Sequence, residues 1–317
     1  LAVDAVAAGC AVKDGRPAVL VPSLTLVASL QANSAAGCRP VACDALPETG
    51  TLDLEDAARR LTPRTIAVMP VHYASNPWQL EEVYAFARRH GLRVIEDAAH
   101  AFGCLRHGRK IGSFGDVVCF SFDGIKNITC GEGGCLVSFD PEVVRLASDA
   151  RLLSVENDAQ KRFSGTRSWD PDVKRQGWRY HMSNIMAAVG RVQLGRLDKE
   201  FAPARRDLAA LYAQRLSPLK GLHLFATDPQ DYIVPHILPV CVREGRKDQV
   251  VRVLADRGIP TGVHYKPNHL LSFFGGGKPS LPVTEALYSQ ILTVPLHPGL
   301  SRADVEHVCD ALAAALD

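Results

Sequence analysis

Five short apolar runs recur through the first half of the chain: Ala18–Pro22, Thr65–Val71, Leu92–Glu96, Val117–Phe122 and Cys135–Phe139. Ala18-Val-Leu-Val-Pro22 is apolar at consecutive rather than alternate positions, the pattern of a strand covered on both faces and therefore of a parallel sheet flanked by helices. The stretches between the runs are amphipathic. In Gln79–His90, Leu80, Val83, Tyr84, Phe86 and Ala87 share one face, with Glu81, Glu82, Arg88 and Arg89 opposite. Strand, helix, strand in this rhythm predicts parallel strands joined by right-handed crossovers, an α/β fold.

The texture changes beyond about residue 180. Met182–Glu200 and Ala204–Leu216 read as successive long helices, followed by a strand at Tyr232–Val242, a helix at Lys247–Gly258 and a strand at Ile291–Leu296. A last helix, Ser301–Leu316, opens with Ser301-x-x-Asp304, which resembles a capping box. The pattern predicts a large α/β domain with a mostly parallel sheet over residues 1–195 and a smaller α+β domain over 196–317. A length of 317 residues suits two such units. The polar stretch Glu156–Gly177 has no clear period and reads as a long loop.

Composition removes several classes of function. Lys and Arg number 36 against 34 Asp and Glu, with no basic block, so no nucleic acid polymer is expected as a partner. Apolar runs such as Pro17–Leu26 fall far short of the roughly 20 residues a membrane span needs, and the N-terminus lacks the pattern of a signal peptide. The nine cysteines are odd in number and contain no Cys-x-x-Cys pair. Cys38/Cys43 and Cys130/Cys135 have no further His or Cys at ligand spacing, so no metal site is expected and free thiols in the cytoplasm are. The chain opens at Leu1, in what reads as the middle of a helix, and a missing upstream segment is expected.

The chemistry concentrates between Val94 and Gly134. Glu96-Asp97 ends one apolar run, and the C-terminal ends of strands in α/β sheets are where ligands bind. Ser121 ends the next run, Lys126 follows in the loop, and Gly131-Glu-Gly-Gly134 supplies a turn into a further strand. A carboxylate, a hydroxyl and an amine at the ends of adjacent strands match the needs of pyridoxal phosphate. That cofactor takes an amine as its covalent anchor, a carboxylate at its pyridine nitrogen and hydroxyl or N–H donors at its phosphate. Gly131-x-Gly-Gly lies before a strand rather than after one, which argues against a dinucleotide-binding oxidoreductase.

Ile95-Glu-Asp-Ala-Ala-His-Ala-Phe-Gly103, Ile111-Gly-Ser-Phe-Gly-Asp116 and Phe120-Ser-Phe-Asp-Gly-Ile-Lys-Asn-Ile-Thr-Cys-Gly-Glu-Gly-Gly134 resemble the DegT/DnrJ/EryC1/StrS sugar aminotransferases, pyridoxal-phosphate enzymes of fold type I, the aspartate aminotransferase-like fold. Val21–Ala28, Val71-His-Tyr73, Gly177–Ala188, Gly262-Val-His-Tyr265 and Val294-Pro-Leu-His297 extend the resemblance over nearly the whole chain. The resemblance implies that Lys126 anchors the cofactor and shuttles the substrate proton, that Asp97 pairs with the pyridinium nitrogen, that His100 lies against the ring or its 3-oxygen, and that Ser121 binds the phosphate. It further implies a homodimer in which His181 reaches the phosphate from the partner subunit, with His264 and Tyr73 near the nucleotide-sugar. Lys126 favours transamination, since relatives with His there dehydrate or deoxygenate instead. The implied reaction carries nitrogen from glutamate to a nucleotide-linked 3- or 4-keto-6-deoxyhexose.

Two positions depart from the family pattern. Leu26 stands where an aromatic residue commonly stacks on the cofactor, and the phosphate-cradling Gly-Thr-x-Ala-Leu segment is absent, Leu1 aligning with its end. These leave two alternatives to the aminotransferase: a catalytically degenerate binding or regulatory protein of the same fold, and a sugar dehydratase of the same family.

Overall fold

The computed structural model describes residues 1–10, 15–155, 172–275 and 279–316. Its central sheet takes four parallel-paired strands from the predicted runs and their neighbourhood: β1 (Ala18–Pro22), β2 (Arg39–Cys43), β3 (Thr65–Val68) and β4 (Arg93–Asp97). A small hairpin, β5 (Leu105–Arg106) and β6 (Arg109–Lys110), precedes β7 (Val117–Ser121) and β8 (Gly134–Ser138). The strand order is β2-β1-β3-β4-β7-β8. All five residues of β1 are buried, as a continuous apolar run requires. β2 escaped the sequence reading because it is an edge strand: Arg39 is exposed, Pro40, Val41 and Ala42 are half-buried, and an edge tolerates the proline.

β8 pairs antiparallel to β7, against the parallel rhythm. The link 122–133 contains no helix, and a parallel return needs a crossover, usually helical. The strands β1, β3, β4 and β7 nevertheless run parallel, so their C-terminal ends share one edge. The helix Leu80–His90 shows how sequence fixes each crossover. It buries Leu80, Val83, Phe86 and Ala87, carries Glu81 and Glu82 in its first turn, and stops at Gly91 with φ 65°.

The second half builds its own core. β9 (Leu222–Leu224), β10 (Leu238–Val242) and β11 (Ile291–Val294) form an antiparallel sheet in the order β11-β10-β9. Leu208, Tyr212, Val240, Leu254, Leu292 and Leu312 pack together from it and from the helices Ala202–Leu216, Lys247–Asp256 and Arg302–Leu316. The last helix opens with the reciprocal cap expected: Ser301 N–H donates to Asp304 Oδ2 at 2.8 Å, and Asp304 N–H to Ser301 Oγ at 3.1 Å. Among the described residues no helix is long and apolar enough to cross a membrane.

Two predicted elements differ. The helix Asn184–Arg196 does not end near residue 200 but passes through a π turn, Leu197–Phe201, into Ala202–Leu216, the wider turn falling just before Pro203, whose ring and missing N–H a regular α-turn accommodates poorly. Beyond an isolated bridge between Tyr232 and Leu105, the expected strand 232–242 is sheet only from Leu238, since side chains satisfy the carbonyls of residues 233–236. Arg206 donates to Ile233 O at 2.8 Å, Asn127 to Val234 O at 2.9 Å, and Arg205 to Pro235 O at 3.2 Å.

The two halves are pinned by buried polar contacts. Asn268 Nδ2 donates to Thr25 O at 2.7 Å, and Asp44 accepts the N–H groups of Val283 and Thr284 at 3.1 and 2.7 Å. The buried Arg106 guanidinium binds Glu81, Asp228 and Asp231 at 2.8, 2.9 and 3.0 Å. Replacing Arg106 by Ala leaves the fully buried Asp231 carboxylate with the His107 N–H but without its guanidinium, so the Arg106→Ala protein is expected to lose about 3 kcal/mol of stability in urea unfolding. An unchanged midpoint and slope would contradict this placement.

Candidate active site

β4 and β7 lie side by side with Asp97 opposite Cys119, which brings Ser121 and the loop after it to the same sheet edge. Asp97 is held from two directions. Ser29 Oγ donates to its Oδ2 at 2.6 Å, and Ala99 N–H to its Oδ1 at 3.2 Å. Ser29 sits in the first turn of the helix Val27–Ala35, where Thr25 Oγ1 meets its hydroxyl at 2.8 Å. The sequence reading missed Ser29; the only signal was a hydroxyl in the first turn after β1.

Lys126 is fixed through its neighbour. The buried Asn127 donates from Nδ2 to the carbonyls of Val234 and Phe102, at 2.9 and 3.1 Å, tying the loop to the second half. Burial lowers the Lys126 pKa from its ordinary value, while the negative charges of Asp97 and Asp123 act the other way. Desolvation prevails, so the neutral amine forms at lower pH than on a surface lysine.

His100 is buried beside this amine. Its Nε2 lies 3.0 Å from the Tyr265 hydroxyl, its ring centroid is 4.6 Å from that of His236, and its Nδ1 is buried with no partner. Burial, then the neighbouring His236 ring and the charge of Lys126, keep it neutral well below the usual histidine range. Ser121 is half-buried, its Oγ accepting only a 3.4 Å bond from Asp123 N–H. His264 is half-buried, with Nδ1 2.9 Å from Thr293 Oγ1, and burial and the Lys126 charge lower its pKa. Beneath Asp97, the buried Glu96 takes His72 Nε2 at 2.8 Å and the Tyr84 hydroxyl at 2.6 Å, a network the sequence did not reveal.

Not every expected residue converges. Tyr73 is 0% exposed, packs edge-on against Phe225 and donates its hydroxyl to the His264 carbonyl, so it supports His264 and presents nothing to a substrate. His181 is exposed and lines a different hollow with Met182, Gly133 and Cys135. Leu26 is 44% exposed at the N-cap of the helix that carries Ser29, offering an aliphatic surface. Of the long loop expected at Glu156–Gly177, residues 156–171 lie outside the described residues.

Residues 2–313 match the DegT/DnrJ/EryC1/StrS aminotransferase family. The chain belongs to that family. It is an aminotransferase of the α/β fold expected, with a mostly parallel central sheet. It is 35% identical over 304 residues to the dTDP-4-dehydro-2,3,6-trideoxy-D-glucose 4-aminotransferase of Saccharopolyspora spinosa, an alignment covering 94% of this chain and 78% of the relative. The crystal structure of S. venezuelae DesV, in complex with a ketimine intermediate, superposes with a TM-score of 0.88 at 33% identity, covering 99% of this chain and 81% of that one. DesI, crystallised in the presence of its TDP-sugar product, gives 0.85 at 30% identity over 98% and 76% of the two chains.

The balance at Lys126 has a direct consequence. Asp97→Asn removes the charge that holds the ammonium form, so the pH midpoint for acylation of Lys126, followed peptide by peptide by mass spectrometry, is expected to fall further below that of the surface lysines. A rise, or no shift, would contradict the electrostatic pairing of Asp97 with Lys126.

Proposed function

We propose that this aminotransferase uses pyridoxal phosphate to move an amino group from glutamate to a nucleotide-linked 3- or 4-keto-6-deoxyhexose. The observation that carries the reading is the desolvated Lys126 amine, placed by β7 within the field of an Asp97 carboxylate that two donors already orient. The residues present fit the cofactor. Asp97 suits its ring nitrogen, the unpartnered Nδ1 of His100 a ring substituent, the lightly engaged Ser121 hydroxyl its phosphate, and Lys126 its carbonyl carbon. The named reactions of the Saccharopolyspora relative and the TDP-sugar product of DesI support a nucleotide-sugar acceptor.

When bound, pyridoxal phosphate supplies an electron-withdrawing ring that stabilises negative charge on the substrate carbon losing its proton. The chain's own part is proton transfer and orientation. Lys126, neutral at lower pH than an ordinary lysine, takes the proton from that carbon and returns it at the next. Ser29 and Ala99 N–H fix the Asp97 carboxylate so that it faces one direction. His100, held neutral, adds no positive charge beside the amine and leaves Lys126 free to cycle.

The same reading includes a homodimer. Ile185, Val189 and Val192 stand exposed on the helix Asn184–Arg196, which buries none of its residues within one protomer, and Ile125 beside Lys126 is exposed as well. A second copy covering this face would bring the partner subunit's His181 toward the phosphate. The nine cysteines are free, which supports a reducing cytoplasmic setting. The boundary at residues 195 and 196 is offered as the division between cofactor-holding and smaller domains.

The test is chemical trapping. Protein loaded with pyridoxal phosphate and treated with borohydride is expected to carry the reduced cofactor on the Lys126 peptide, and to lose that adduct when glutamate is added first. Label spread over other lysines, or a Lys126→Ala protein that traps as much, would sink the proposal; a Lys126 adduct that glutamate leaves untouched would indicate a degenerate binding protein instead.

A further inference from the structure

Lys126 opens onto a cavity of about 660 Å³ between its own loop, the long helical segment that runs to Leu216 and the second half of the chain. The charge of this cavity is of one sign: its Lys and Arg side chains carry the charge, and its histidines supply uncharged donors where burial keeps them neutral. Lys126, Arg196, Arg205, His236, His264 and His297 line it, and among the described residues no Asp or Glu does. Arg196 is exposed and already paired with Glu200 at 2.8 Å.

Arg205 has no such partner. It is 4% exposed, and its Nη1 donates to three carbonyls: those of Pro235 and His236, each at 3.2 Å, and that of Leu296 at 3.3 Å. Its Nε is buried with no acceptor. Burial pulls its pKa down to about 10, with no carboxylate acting in the other direction. His236, also 4% exposed, leaves both ring nitrogens without a partner. Burial, then the charges of Lys126 and Arg205, holds it neutral, with one N–H to donate. A buried guanidinium without a counter-charge and a buried imidazole without a hydrogen bond are each costly, and both costs fall when an anion enters.

We propose that this cavity is an oxyanion subsite, in which Arg205 and His236 receive the negatively charged group of a substrate presented to Lys126. The inference rests on the aminotransferase reading and goes beyond it by assigning residues. Two sources offer the same chemistry: the carboxylate of a dicarboxylic amino donor and the diphosphate of a nucleotide-sugar. In either case the guanidinium and the imidazole supply N–H donors to the anion, and the cluster of carbonyls around Nη1 fixes the plane of the fork.

The experiment titrates glutarate, which carries the donor's carboxylates but no amine, and inorganic pyrophosphate by calorimetry. It uses the protein both as purified and after loading with pyridoxal phosphate. Three proteins are compared: the natural sequence, Arg205→Lys, and Thr261→Glu. The last places a negative charge in the lining without touching the carbonyls that Arg205 holds. Loss of one charge-assisted bond weakens binding by about tenfold or more, so both variants are expected to lose at least that much affinity for one of the two anions. Loss confined to glutarate identifies the donor's carboxylate as the occupant; loss confined to pyrophosphate identifies the diphosphate. Unchanged affinity for both anions in Thr261→Glu, in a protein that still exchanges nitrogen with glutamate, would overturn the subsite and leave the enzyme reading intact. Failure of the natural sequence to take up pyridoxal phosphate would sink the enzyme reading, and the titration of the purified protein would still decide the subsite.

Discussion

The parallel pairing of β4 with β7 is the contact on which the site depends. It sets Asp97 opposite Cys119, so the carboxylate that ends one strand and the loop that follows the next emerge at one sheet edge. Ser29 and Ala99 then fix the carboxylate, and Asn127 fixes the loop by binding carbonyls on both sides of the molecule. Lys126 is left between opposing influences, a buried setting that favours the neutral amine and two carboxylates that favour the ammonium. Because burial prevails, the amine is available as a base without leaving the reach of Asp97.

The surrounding histidines sharpen this balance. His100, His236 and His264 all stand within the field of Lys126, and burial keeps each of them neutral. Were they charged, the ammonium form of Lys126 would be disfavoured still more and the cavity would repel further cations. Neutral, they offer hydrogen bonds without adding charge, while Arg205 supplies a deeply buried cation that no carboxylate matches among the described residues. On the proposed reading, proton transfer falls to Lys126 and anion attraction to Arg205.

How much of this the sequence disclosed follows from the range of each interaction. Continuous apolar runs marked β1, β3, β4 and β7, because burial on both faces writes itself into consecutive residues; β8 was marked by its apolar Cys135-Leu-Val137 although it is a half-exposed edge strand. β2 was lost because Arg39 and Pro40 interrupt the apolar run of an edge strand, and the segment 233–237 because side chains from distant parts of the chain satisfy its carbonyls. Asp97 and Lys126 were legible because carboxylate and amine fall at the ends of adjacent runs and in motifs specific to one family. Ser29, Asn127 and Arg205 were not, since each acts on partners far away in the chain and carries no local pattern. Tyr73 shows the reverse error: a polar aromatic in a matching motif, which the fold buries completely to prop the backbone of His264.

The central claim is that nitrogen passes from an amino acid to a nucleotide-linked keto-sugar under the control of Lys126. Its most direct test supplies nitrogen-15 glutamate and a panel of 3- and 4-keto nucleotide sugars to the loaded protein and follows the products by mass spectrometry. The account predicts heavy nitrogen in one sugar product, formed by the natural sequence and absent with Lys126→Ala. Label that never leaves glutamate for any acceptor in the panel, or transfer that persists without Lys126, would contradict it.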